Sequence, residues 1–143
     1  MKLYFAPMEG ITDHIYRKLH RKYFPGMDRY YTPFLSPTVH RNLTPKEQRE
    51  LNDDTEITVP QLLTKSAEDF CWMSRVCQDL GYREVNLNLG CPSGTVTAKG
   101  KGSGMLRNLD ELDAFLDKIF SESCLPVSVK TRIGFQSGEE FAP

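Results

Sequence analysis

Two segments of the chain alternate apolar and polar residues in the same phase. Over 84–89, Val85, Leu87 and Leu89 alternate with Glu84, Asn86 and Asn88. Over 127–133, Val127, Val129, Thr131 and Ile133 alternate with Ser128, Lys130 and Arg132. A period of two marks a strand with two unlike faces. Other segments repeat near the helical period. Ile15, Tyr16, Leu19 and Tyr23 predict a helix that Thr12 can cap and Pro25-Gly26 ends. Phe70, Met73, Val76, Cys77 and Leu80 predict a second helix over 67–80, capped by Ser66 and stopped by Gly81. Leu112, Leu116 and Phe120 predict a third over 109–120, and a short charged helix is expected between Thr44 and Leu51. Short apolar runs at 3–8, 29–34 and 57–63 predict three more strands, and 134–143 reads as a loop with a helix start. Strands alternating with helices point to βα units and a parallel sheet.

Parallel strands covered by helices on both faces usually read as continuous apolar runs. Two strands with a full polar face break that habit. A (β/α)8 barrel resolves it, because the apolar phase packs on the outer helices and the polar phase points inward. A two-layer sheet with one solvated face explains either strand alone; the pair, with the loop described next, favours the barrel. Asn88 and Lys130 lie toward the carboxyl ends of their strands, where barrel active sites sit. The expected fold class is therefore α/β, a partial TIM (β/α)8 barrel of about the first five βα units with parallel strands. A whole barrel takes ~250 residues, so residues 1–143 are expected to be the truncated N-terminal portion of one.

The loop after Leu89 runs Gly90-Cys91-Pro92-Ser93-Gly94, then Lys99-Gly100-Lys101-Gly102-Ser103-Gly104. Pro92 biases Cys91 toward extended backbone just past the strand end. A thiol there can act as a general acid, or as a nucleophile if its thiolate is favoured. Cys71, Cys77 and Cys124 read instead as inert buried thiols. Gly100-Lys101 is followed by Gly102, so this is no phosphate-binding P-loop. A mobile basic loop is expected, with Lys99, Lys101 and Arg107 near Cys91 in sequence. Its charges suit phosphates, and a solvated flexible loop is an equally simple reading.

At 39% hydrophobic and 26% charged, the composition is that of a folded globular chain. No run of ~18 apolar residues exists, which excludes a transmembrane helix. The start lacks a signal-peptide pattern, so a cytoplasmic protein is expected. The four cysteines contain no C-x-x-C pair, and no metal site is expected. Residues 1–50 carry nine basic and five acidic residues, the remainder nine and fourteen. A basic half can attract a polyanion, although Arg17, Lys18, Arg21 and Lys22 sit at helical spacing and read more simply as a solvated face.

Taken together, the chain resembles the N-terminal part of the tRNA-dihydrouridine synthases, flavoenzymes with a (β/α)8 barrel. The matching pieces are Ala6-Pro7-Met8-Glu9-Gly10-Ile11-Thr12-Asp13, Thr32-Pro33-Phe34, Gln61-Leu62-Leu63, Asn86-Leu87-Asn88-Leu89-Gly90-Cys91-Pro92 and Val127-Ser128-Val129-Lys130-Thr131-Arg132. The resemblance implies an FMN cofactor, NADPH as reductant, and reduction of the C5=C6 bond of uridine in tRNA. It implies that Pro7 and Met8 line the flavin ring and that Gln61 and Lys130 hydrogen-bond to the cofactor. Asn88 then lies between flavin and substrate, Cys91 protonates C5 of the uracil, and Lys99, Lys101 and Arg107 meet the tRNA. Two alternatives stay open: another FMN barrel oxidoreductase acting on a free pyrimidine or enone, and a non-catalytic tRNA-binding remnant. Measured against the family, residues 1–143 are expected to lack the later strands and the C-terminal helical tRNA-binding domain. The isolated chain is expected to hold FMN weakly and to be inactive.

Overall fold

The computed structural model describes residues 1–38 and 40–141. Its elements are β1 (Tyr4–Phe5), α1 (His14–Tyr23), β2 (Arg29–Tyr31), α2 (Pro45–Glu50), β3 (Thr58–Val59), β4 (Gln61–Leu62), α3 (Ala67–Asp79), β5 (Val85–Leu89), α4 (Gly94–Thr97), α5 (Leu109–Glu122) and β6 (Val127–Thr131). Every strand pairing is parallel, in two ladders ordered β1-β2-β3 and β4-β5-β6. Pro60 separates the ladders. It has no N–H to donate, but its carbonyl accepts from Asn86 N at 2.8 Å. The expected strand over 57–63 is thus one segment whose first half pairs with β2 and whose second half pairs with β5.

The core lies between β4–β5 and the helices α3 and α5. Val85, Leu87 and Leu89 pack there with Phe70, Met73, Cys77, Phe115 and Ile119. Phe70 and Phe115 meet edge to face, with ring centroids 6.5 Å apart. Each fully buried side chain of this kind contributes about 1.5–3 kcal/mol. The local signals for α2 and α3 hold. Thr44 and Glu47 form a reciprocal capping box, Ser66 caps α3, and Gly81 takes φ +92° just past its end.

Several expectations are corrected. Asp13, not Thr12, caps α1; its carboxylate accepts from Tyr16 N at 2.8 Å, while Thr12 turns back to Met8. The apolar residues of α1 are exposed: Ile15, Tyr16, Leu19 and Tyr23 are all more than 40% accessible. The residue this helix buries is Arg17. Its inward face is ionic because Glu50 and Asp53 stand beneath it, so the face read as solvated is partly buried. Leu80 and Phe120 are also exposed; on α5 Leu112 is buried as expected, with Phe115 and Ile119 beside it in the core. The strands are shorter than their expected runs: β1 is Tyr4–Phe5, β2 stops at Tyr31 and β6 stops at Thr131. Cys124 is exposed, whereas Cys71 and Cys77 are buried as expected. Beyond β6, the described residues form a 3-10 turn over Gly138–Phe141. Residues 142 and 143 of the expected terminal loop lie outside the described residues.

Candidate active site at the strand carboxyl ends

Parallel strands bring all their carboxyl ends to one side, and a cleft of about 270 Å3 opens there. Pro7 and Met8 after β1, Gln61 on β4, Asn88 on β5, Cys91 just beyond it and Lys130 on β6 all line it. Register explains the convergence: Asn88 pairs with Lys130, and Gln61 pairs with Asn86. Glu9, Pro33 and Phe34 line the same cleft. Reasoning on single residues had missed them, although two of the matched sequence pieces contain them.

The inward polar face forms a continuous row of hydrogen bonds. Asn88 Oδ1 accepts from Gly90 N at 3.1 Å and from Cys91 N at 2.9 Å. Asn88 Nδ2 donates to Gln61 Oε1, and Gln61 Nε2 donates to Asn86 Oδ1, both at 2.8 Å. Asn86 Nδ2 then donates to Ser128 Oγ at 2.9 Å, and Ser128 donates to Glu84 Oε1 at 2.5 Å. The ends fix the amide orientations. Two backbone donors require an oxygen at one end, and the Glu84 carboxyl oxygen accepts from Ser128 at the other. Buried polar groups are affordable when each has a partner, and this row supplies them for Gln61, Asn86 and Asn88, all nearly inaccessible. Asn88 and Gln61 thus spend most of their capacity on each other and on the Cys91 loop. One amide hydrogen on each is left for a ligand.

Cys91 is half-buried at the rim. Its loop is not the mobile segment expected. It folds into α4 and a 3-10 turn over Gly102–Arg107, and Gly102, Ser103 and Gly104 are buried beneath Cys91 and Thr97. On the opposite wall, Thr12 Oγ1 accepts from Met8 N at 2.8 Å, and the Thr12 carbonyl accepts from Arg17 Nη1 at 2.9 Å. The segment carrying Pro7 and Met8 therefore rests on the buried Arg17–Glu50–Asp53 cluster. Glu9 forms an ion pair with Lys46.

Lys99, Lys101 and Arg107 are not in this cleft, despite their closeness to Cys91 in sequence. Lys101 Nζ donates to Ser36 Oγ at 3.1 Å. Burial, and then the charge of Lys99, hold its ammonium below the ordinary lysine range. Arg107 stacks over the Phe135 ring at 4.2 Å and lines a second cleft with Arg132 and Glu140. Burial pushes the Cys77 thiol up to about 12 and raises Cys71, in keeping with the inert role expected of those two. Among the described residues, no group of three or more His, Cys, Asp and Glu side chains could hold a metal ion. No helix among them is long and apolar enough to cross a membrane.

A family model described as dihydrouridine synthase matches residues 4–142. The chain is 34% identical to the probable tRNA-dihydrouridine synthase 1 of Synechocystis, over 96% of this chain and 40% of that protein. It is 32% identical to the probable tRNA-dihydrouridine synthase of Staphylococcus epidermidis, over 95% of this chain and 42% of the relative. It is 25% identical to tRNA-dihydrouridine synthase B of Pasteurella multocida, over 94% and 40%. The chain thus spans about two fifths of the length of these curated relatives.

Proposed function

The chain belongs to the dihydrouridine synthase family, and from that premise we propose that it forms the N-terminal part of a barrel that reduces the C5=C6 bond of uridine in tRNA, with FMN as cofactor and NADPH as reductant. What carries the reading is the shared cleft: the Cys91 thiol, the Asn88 and Gln61 amides and the Lys130 ammonium line it together. The cleft suits a flavin in kind. Pro7, Met8, Pro33 and Phe34 offer apolar walls, and Gln61 and Lys130 offer a donor amide and a cation for the polar edge of the ring. Bound FMN supplies the hydride.

The rest falls to the chain's own residues. A uracil that has gained hydride at C6 carries negative charge at C5, conjugated with the C4 carbonyl. The Cys91 thiol gives its proton to C5 and recovers one from solvent. Lys130 stabilises negative charge at the cleft edge. Asn88 uses its remaining amide hydrogen to orient a carbonyl of the base. The base leaves any stack to enter, and Lys99, Lys101 and Arg107 meet backbone phosphates outside the cleft. The free thiols are in keeping with a cytoplasmic setting.

The experiment is dihydrouridine formation in an unmodified tRNA transcript by protein containing this chain, supplied with FMN and NADPH. Cys91→Ala is expected to lose reduction by at least a hundredfold, in line with ~10²–10⁴ for a general acid, while tRNA binding is kept. Unchanged reduction refutes the assignment.

A further inference from the structure

We propose that Ser103 is a positioning residue for the Cys91 thiol, holding the Cys91 peptide from its carbonyl side as Asn88 holds it from its amide side. The proposal rests on the reading of Cys91 as proton donor.

Ser103 lies twelve positions beyond Cys91 in sequence and directly beneath it in space. The Cys91 carbonyl accepts from Ser103 N at 3.1 Å and from Ser103 Oγ at 3.0 Å. On the other side, Cys91 N donates to Asn88 Oδ1 at 2.9 Å. Both polar groups of the residue are thereby fixed, and Pro92 restricts the backbone that follows. The Cβ that carries the thiol has little freedom left.

Two further observations point the same way. Ser103 is fully buried, and Cys91 O is the hydroxyl's hydrogen-bond partner among the described residues. Burying a hydroxyl costs free energy unless it is bonded. An alanine fills nearly the same space without that cost, so this bond is what the serine adds. The approach also depends on Gly102. A Cβ there would stand 2.8 Å from Cys91 O and 3.1 Å from Cys91 Cβ, and the residue takes φ +58°. Gly102 lets the returning chain come close enough for Ser103 to bond. Proton transfer needs heavy atoms within about 2.6–3.2 Å, so a thiol held at both ends of its peptide meets C5 more often than one on a loose loop.

The test compares Ser103→Ala and Ser103→Thr with the parent, all in full-length protein containing this chain, by peptide-resolved amide hydrogen exchange and iodoacetamide labelling. Ser103→Ala is expected to raise exchange around Cys91, and labelling of its thiol, by about two- to tenfold, the range one hydrogen bond supports. Cys71 and Cys77 should stay as protected as in the parent, and Ser103→Thr, which keeps the hydroxyl, should restore the parent rates. An unchanged Cys91 in Ser103→Ala overturns the proposal. So does a parallel rise at Cys71 and Cys77, which reports general loosening, or a Thr variant that behaves like Ala. The readout is independent of turnover, so the two readings can fail separately. If Ser103→Ala loosens Cys91 while Cys91→Ala still reduces tRNA, the proton-donor assignment falls and the clasp remains. If Cys91→Ala abolishes reduction while Ser103→Ala leaves labelling and kcat untouched, the clasp falls and the assignment remains.

Discussion

Replacing Arg17 by methionine should cost about 3–5 kcal/mol of folding stability, the usual loss when one partner of a buried ion pair is removed. Arg17 has no accessible surface. Its guanidinium donates to Asp53 Oδ2 at 2.9 Å, Glu50 Oε2 at 2.8 Å, the Glu50 carbonyl at 2.9 Å and the Thr12 carbonyl at 2.9 Å. Without it, among the described residues, the Asp53 carboxylate, itself inaccessible, keeps Arg21 as its close cationic partner, and Glu50 keeps His14 at 3.8 Å. Typical domains have about 5–15 kcal/mol in total, so roughly a fifth or more of the stability is at stake. Urea unfolding followed by far-ultraviolet circular dichroism measures the loss directly. Arg17→Met combined with Glu50→Leu and Asp53→Leu should recover most of it, because a buried ion cluster and a well-packed apolar one differ little in net stability. The Thr12 carbonyl adds a local signature: hydrogen exchange at Met8 and Thr12 should rise in Arg17→Met before global unfolding. A cost below about 1 kcal/mol, the level of an exposed pair, would refute the buried placement of the cluster.

Breaking the amide row is the second test. Gln61→Leu strands polar atoms of Asn86 and Asn88 and should cost about 1–3 kcal/mol; in a full-length protein containing this chain it should also reduce the flavin absorbance retained after FMN addition and desalting. Alkaline pH is a third perturbation. Burial raises Cys77 to about 12 and raises Tyr82 as well, so the native state holds protons that the unfolded chain releases. Stability should therefore be level below the unfolded thiol value near 9 and fall as pH rises through the folded one. Urea titrations at pH 8 and pH 10 read the fall, and Cys77→Ala should lessen it, leaving the share of Cys71 and Tyr82. Binding of a tRNA transcript should weaken with salt, and Lys99→Ala with Lys101→Ala should reduce the logarithmic salt slope by up to about 0.7–0.9 per lysine. An unchanged slope removes those lysines from the RNA-facing surface.

The parts legible from the chain were those set by local chemistry. The cap of α3, the glycine after it and the two-residue period of β5 each depend on neighbours a few positions away. The predicted residues that line the cleft sit in short motifs at strand ends, and parallel pairing gathers them there. Failures arose where the deciding partner is remote. The helical wheel of α1 assumes that an apolar stripe faces inward, but Glu50 and Asp53, 33 and 36 positions from Arg17, draw an arginine in instead. The glycines of 100–104 suggested mobility, whereas at Gly102 and Gly104 the missing side chain permits close approach to Cys91 and Thr97. Pro60 was visible, but its division of one strand between two neighbours depends on a pairing that sequence alone does not display.

The hydrogen-bond row beneath the cleft also constrains descent. Its links all donate in one direction, from Asn88 through Gln61, Asn86 and Ser128 to Glu84. A glutamate at position 61 would put an acceptor against Asn86 Oδ1. Turning that amide over would face its oxygen to Ser128, and a hydroxyl that answered it would abandon Glu84. One exchange thus propagates across three strands. Positions 61, 86, 88, 128 and 84 form a single heritable unit. A lineage that rewrites one of them has to rewrite others in concert, and in an aligned set of relatives these columns should vary together or hold still together.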